Sequence, residues 1–256
     1  MKTKIMLLLL MITTALCTQA FGHELWVNAL PIENGLFRAD IGYGHAFPAP
    51  EPIADDRLHI FKPLVLVTPE KEMAMVQSGE NYAYQIKTDL KKETCMVLGF
   101  YRPTFWSKGV SGWAQTDRLQ RPDANYVEEA VMYGKTIVNI NGATDDALIK
   151  KPVGMRLEIV PLVNPATVKA GDKFPMQVIC DGQGAKLTEV TGCFAGFSDK
   201  GYMAFSGRTD LKGLIDFIPL KPGYWIVKAK QALEHQDKKR ADEVVLLSTL
   251  TFTIME

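Results

Sequence analysis

HELWVNALPIENGLFRADIGYGH, residues 23–45, is the stretch on which the reading of the fold turns. Two segments, HELWVNALPI and LFRADIGYGH, are joined by Glu33-Asn34-Gly35, and Asn-Gly between such runs is the strongest short hairpin signal. In the second segment Phe37, Ala39, Ile41 and Tyr43 alternate with Arg38, Asp40 and Gly42, the period of two that marks a half-buried strand. A hairpin centred on Asn34 pairs residues whose numbers sum to 68, which sets His23 opposite His45. Cross-strand partners hold their Cβ atoms about 4.5–5.5 Å apart, within reach of one shared ion. A slip of one residue would place His45 opposite Glu24 and exchange the faces of the strand. Pro31 limits how regular the hairpin can be.

Downstream, strand signals dominate. LVLVT (64–68), YAYQIKT (82–88), CMVLGFY (95–101) and KTIVNIN (135–141) are short, β-branched or aromatic, and bounded by Gly, Pro, Asn or Asp. NYVEEAVMYG (125–134) is the one helix-like stretch, with Val127, Ala130 and Val131 at 3–4 spacing and Gly134 as a stop. Beyond Lys150-Lys151-Pro152 the texture changes to short strands at regular spacing, over 157–162, 174–180, 191–197, 213–218, 224–229 and 244–254, separated by AGD, DGQG, SDKG and KPG turns. That rhythm is the pattern of an immunoglobulin-like sandwich, with Trp225 a core residue. The chain is therefore read as all-β with at most one or two short helices, an N-terminal β domain over 23–150 and an immunoglobulin-like β-sandwich over 151–256.

Residues 1–22 read as a signal peptide. Lys2 and Lys4 precede an apolar run from Ile5 to Leu16, and Ala20-Phe21-Gly22 matches the small-residue pattern that signal peptidase cuts. The run is shorter than the roughly 20 residues a membrane-spanning helix needs, so the expectation is a periplasmic protein cleaved after Gly22 with no transmembrane segment. Cys17 raises a lipid-modified alternative, against which the bulky Leu16 before it counts. The leader carries two lysines and no acid, so 29 basic and 29 acidic residues become 27 and 29. That balance excludes a nucleic-acid partner, which demands a basic patch. Cys95, Cys180 and Cys193 follow the leader. Cys180 and Cys193 flank the turn-rich DGQGAKLTEVTG and could form a disulfide in an oxidising compartment; the alternative is three small buried hydrophobes.

The chain has four histidines, His23, His45, His59 and His235. If His23 opens the processed chain, its α-amine, with a pKa of about 7.7–8.0, ligates beside its own imidazole. With His45 this makes three nitrogens, a set suited to Cu(II) or Ni(II); the bland alternative is a frayed chain end. His59, in RLHIFKP, is a third candidate if the AFPAPEPI loop folds back, or else a half-buried strand residue. His235 lies among charges and reads as a solvated loop residue. Glu24, Asp40 and Tyr43 are candidate accessory groups, because ligating imidazoles usually donate their second N–H to a carboxylate. No G-x-S-x-G, H-E-x-x-H, Walker or G-x-G-x-x-G motif appears. Phe100, Tyr101, Phe105, Trp106 and Trp113 crowd into residues 99–113, either a ligand platform or a satellite core.

HELWVN after the leader, GYGHAFPAPEPI, RLHIFKP, PVGMRLEIVPLVNPATVKAGDKFPMQVICDGQ and TDLKGLIDFIPLKPGYWIVKA together resemble a bacterial periplasmic family of domains of unknown function associated with nickel and cobalt uptake (NikM/NikK-type). The resemblance implies an exported β protein with an immunoglobulin-like C-terminal part that binds or delivers a transition metal. Its metal positions fall on His23 and His45, with His59 less securely. Where relatives can carry a further histidine, this chain has Gln231 in WIVKAKQ. The leading expectation is a non-enzymatic protein that captures Ni(II), or Co(II), and presents it to a membrane metal-uptake transporter. The alternatives are a histidine-brace copper oxidase or monooxygenase holding Cu(II), and a structural immunoglobulin-like protein whose histidines are incidental.

Overall fold

The computed structural model describes residues 23–33, 35–45, 47–198 and 201–256; the expected leader over 1–22 lies outside them. Among the described residues seventeen strands follow in chain order. The N-terminal half contributes β1 (Glu24–Glu33), β2 (Leu36–Gly44), β3 (Val65–Val67), β4 (Glu72–Ala74), β5 (Val76–Gln77), β6 (Ala83–Lys87), β7 (Thr94–Gly109), β8 (Gly112–Ala114) and β9 (Tyr126–Asn139). The C-terminal half contributes β10 (Leu157–Pro161), β11 (Phe174–Cys180), β12 (Gln183–Gly184), β13 (Glu189–Phe194), β14 (Phe205–Arg208), β15 (Leu214–Phe217), β16 (Gly223–Glu234) and β17 (Glu243–Ile254). Helix is confined, among the described residues, to 3-10 turns at Asp55–Ile60, Ile140–Gly142 and Pro165–Thr167. The fold is all-β, as the alternation indicates.

The C-terminal strands form the expected sandwich. One layer is β10–β11–β12 with β15 on β11, and the facing layer contains β14–β13–β16–β17. Trp225, Phe174, Phe217 and Phe252 interlock between them as edge-to-face pairs, with Phe174 and Phe252 5.0 Å apart and Phe217 and Trp225 5.3 Å apart. That facing layer does not stop at β17. Parallel pairing of β17 with β9, from Glu243↔Glu128 to Thr251↔Thr136, extends it through β9, β7, β3 and β4 into one nine-stranded sheet that also takes in β8. The sheet thus runs across the boundary drawn at 150/151.

The stretch expected as a helix, 125–134, is the start of β9. Its 3–4 spacing arises because both faces of the strand are covered, which removes the alternation that an exposed face would leave. Along β7, Met96 and Leu98 enter one core and Cys95 and Val97 the other; Val131 and Ala130 divide in the same way on β9. The long sheet is therefore the middle of three layers. The layer with β10, β11 and β15 covers one face, and a four-stranded sheet ordered β1–β2–β6–β5 covers the other.

Two devices seat β1 on the long sheet. Gly99 and Gly134 are cross-strand partners, and a Cβ on Gly99 would stand 2.8 Å from Val27 Cγ2, while one on Gly134 would stand 3.2 Å from the Trp26 backbone carbon. The paired glycines form a trough that β1 fills. The hydroxyls of Thr249 and Thr251 on β17 donate to the carbonyls of Leu25 and Val27, at 2.7 and 2.6 Å. They satisfy edge groups of β1 that would otherwise template another strand.

Cys95, Cys180 and Cys193 are all free thiols, so the disulfide weighed from the sequence is absent. Cys180 ends β11 in the small layer while Cys193 lies on β13 in the long sheet. Burial pushes the Cys95 thiol up to about 12, the behaviour of an inert core residue.

Candidate metal centre

β1 and β2 pair in the register set by a sum of 68, from Glu24↔Gly44 through Leu30↔Arg38, with an irregularity between Leu30 and Glu33 where Pro31 interrupts the ladder. At the open end of this hairpin the imidazoles of His23 and His45 stack, their centroids 4.9 Å apart and their planes inclined at 25°. Two imidazoles that each reach one ion at about 2.0–2.1 Å from cis positions have centroids about 4.5 Å apart. The ring separation is compatible with both imidazoles reaching one divalent transition metal. Both residues are exposed at the hairpin's end, so an ion has direct access.

Beneath the pair lies an aromatic floor. Tyr43 packs on His23 at 4.8 Å, on Phe61 at 5.0 Å and on Tyr101 at 5.9 Å. Trp106 Nε1 donates to the Tyr101 hydroxyl at 2.8 Å. Arg57 places its guanidinium 5.4 Å above the Trp106 ring, close enough to Tyr43 to act on its hydroxyl electrostatically. Burial raises the Tyr43 phenol, reinforced by Tyr101, so Tyr43 stays neutral at physiological pH. His23 is held below its ordinary value first by desolvation and then by His45 and Arg57, against an opposing pull from Glu51. It sheds its proton readily, which favours metal ligation.

The loop after β2 does fold back over the hairpin. Asn28 Nδ2 donates to the Pro48 carbonyl at 2.7 Å, and Asn81 grips Ile53 by accepting from its amide at 3.0 Å and donating to its carbonyl at 2.6 Å. This brings Glu51 and Arg57 to the site. His59 goes elsewhere: RLHI belongs to the 3-10 turn, not to a strand, and His59 Nε2 lies 3.3 Å from the Gln115 amide nitrogen. It lines a separate polar cavity of about 290 Å³ with Arg102, Asp117, Gln120 and Arg240. No group of three or more His, Cys, Asp or Glu in metal-binding geometry exists among the described residues, so His59 does not join His23 and His45.

The accessory candidates separate likewise. Glu24 is paired with Lys228. Asp40 points to the outer face, where burial raises its carboxyl, and lines a cavity with Arg38 and Tyr82. Tyr43 alone stays beside the pair. Gln231, the place of the further histidine, accepts from the Thr188 hydroxyl at 3.1 Å. His235 is not a solvated loop residue: its side chain is 10% exposed, its Nε2 faces Glu129 Oε2 at 3.4 Å, and its Nδ1 accepts from the Asp237 amide at 3.0 Å. Of the five aromatics in 99–113 only Trp113 is exposed. The others pack inward, which is the satellite-core reading and not a flat platform. Sequence reasoning missed Arg57 and Glu51; the signal available was their position beside the loop already expected to fold back.

Residues 20–232 match a family described as Domain of unknown function (DUF4198). No curated protein matches the chain in sequence. Among solved structures, native alpha-2-macroglobulin from Escherichia coli, spanning domains MG0-NIE-MG1, aligns with 92% of this chain and 72% of its own at 10% identity and a TM-score of 0.23. The fibronectin(III)-like modules of Clostridium thermocellum CbhA align with 89% of this chain and 93% of their own at 7% identity and a TM-score of 0.23. At such scores neither likeness carries an argument.

Proposed function

The chain belongs to the DUF4198 family, and from that premise we propose that it is an exported, periplasmic protein that captures a transition-metal ion, Ni(II) or Co(II), through His23 and His45 and presents it to a membrane uptake transporter. The observation that carries this reading is the stacked imidazole pair at the open end of the first hairpin. Imidazole suits nickel, copper and zinc alike, and processing after Gly22 would add the His23 amine as a third nitrogen. Direct access of an ion, with Tyr43 as a dry floor, supports a site that loads and unloads rather than one that buries its metal. Among the described residues no helix is long and apolar enough to cross a membrane, which is compatible with delivery to a separate membrane partner.

The test has two parts. N-terminal sequencing of the exported protein should return His-Glu-Leu-Trp. Titration calorimetry of that protein should then show Ni(II) binding that His45→Ala weakens by about 10-fold or more with little change in the metal-free thermal transition, because His45 is exposed. Equal affinity of the variant and the parent would remove His45 from the site.

A further inference from the structure

The site holds one cation whose charge is not used. Arg118, Arg156 and Arg240 each hold a carboxylate, at 2.5, 2.8 and 2.9 Å, whereas Arg57, like Arg38, Arg102, Arg121 and Arg208, makes no ion pair among the described residues. It is half-buried, rests on the Trp106 ring and lies beside Tyr43. Tyr43 in turn stacks on His23. A divalent ion on the histidine pair would add two positive charges beside this guanidinium with only Glu51 in opposition, and like charges this close repel. The imidazoles fill two of the four or more positions that such an ion requires, the His23 amine of the processed chain would fill a third, and no group of three or more His, Cys, Asp or Glu side chains converges there among the described residues. An anionic co-ligand that both completes the coordination and faces Arg57 resolves the two difficulties together.

We propose that the site takes its metal as a complex with a small polycarboxylate, in which the imidazoles fill two cis positions on the ion and Arg57 holds a carboxylate of the chelator. The guanidinium fork matches a carboxylate with two parallel N–H···O bonds, and its seat on the Trp106 ring orients that fork before anything binds. The inference rests on the metal-binding reading above and names its substrate class.

The processed protein is titrated with aqua Ni(II) in a non-coordinating buffer and, separately, with preformed 1:1 Ni(II)–citrate. Arg57→Gln should weaken binding of the citrate complex by about 10-fold or more while tightening the hold on the aqua ion, and Arg57→Lys should recover part of the loss. Gel filtration of the unmutated protein loaded with Ni(II) and radiolabelled citrate should carry both through the column at 1:1, a readout that does not depend on how the variants fold. Nickel retained without citrate, or an equal effect of Arg57→Gln on both forms, overturns the proposal. Binding of the aqua ion that depends on His45 but excludes the complex overturns this inference alone, whereas binding of neither form removes the metal reading itself.

Discussion

The two faces of the nine-stranded sheet are covered in different ways. On the face toward β10, β11 and β15 the contact is closed from end to end, with Trp225, Phe174, Phe217 and Phe252 at 0% exposure. It even encloses an ion pair: Lys135 Nζ lies 2.8 Å from Glu158 Oε1, each side chain 1% exposed, and both oxygens of Glu158 accept from the Val153 amide at 3.0 Å. On the opposite face β1 sits in a glycine trough, its edge met by two threonine hydroxyls, and the layer ends in an open rim where His23 and His45 stand. A layer that interlocks throughout has no room for a ligand; a layer seated by backbone approach and hydroxyls can stop short and leave side chains free. The candidate site belongs to the second kind.

The largest expected effect breaks the closed face. Glu158→Ala leaves the Lys135 ammonium buried without its partner, against the desolvation that already lowers its affinity for a proton, and should cost about 3–5 kcal/mol in urea denaturation. Replacing both partners with Met and Leu should be close to neutral. If the single and double variants lose the same stability, the closed face does not depend on charge pairing.

At the open rim, acid is the lever. Desolvation, with His45 and Arg57, holds the His23 imidazole below its ordinary value while Glu51 opposes. A base with a lowered pKa is deprotonated at neutral pH and blocks a metal only when pH falls below the ordinary range for histidine. The α-amine, protonating below about 8, begins to compete earlier. Ni(II) affinity should therefore fall by about 100-fold between pH 7.5 and 5.5, with proton release on binding in calorimetry. A flat profile would point to carboxylate ligands, which titrate near 4.

Gly99→Ala sharpens the comparison from the other side. Its new methyl would meet Val27 Cγ2 at 2.8 Å, and overpacking of this kind costs about 1–3 kcal/mol. Hydrogen exchange should then quicken across β1 and β2 while the β10–β11–β15 layer keeps its protection. Uniform loosening of both layers would show that the two faces behave as one.

The hairpin register was legible because two local signals agree: the Asn-Gly turn fixes the pairing, and the alternation of Phe37, Ala39, Ile41 and Tyr43 fixes the face. Six of the eight C-terminal strands were legible from their turns; the short β12 and β14 were not. β9 was not, since a strand covered on both sides shows no polar alternation and Val127, Ala130 and Val131 then imitate a helix. Nor was the parallel union of β9 with β17, which joins residues more than a hundred positions apart with no turn between them. The juxtaposition of His23 and His45 was legible because they lie on one hairpin. Arg57, Glu51 and the departure of His59 depend on where Asn28 and Asn81 pin a loop, a tertiary matter on which local pattern is silent.

The hydroxyls of Thr249 and Thr251 reach back 224 residues to the carbonyls of Leu25 and Val27, and this sets an order of events. The footing of the first strand of the described chain is complete only when the last one is in place. Pairing at such sequence separation is slow, because loop closure must be completed before the contact contributes. A chain interrupted before β17 would carry both imidazoles on a hairpin that lacks these two threonine bonds. Whatever ligand the rim takes meets a finished fold, which makes ligand binding at this end of the molecule a report on the integrity of the other.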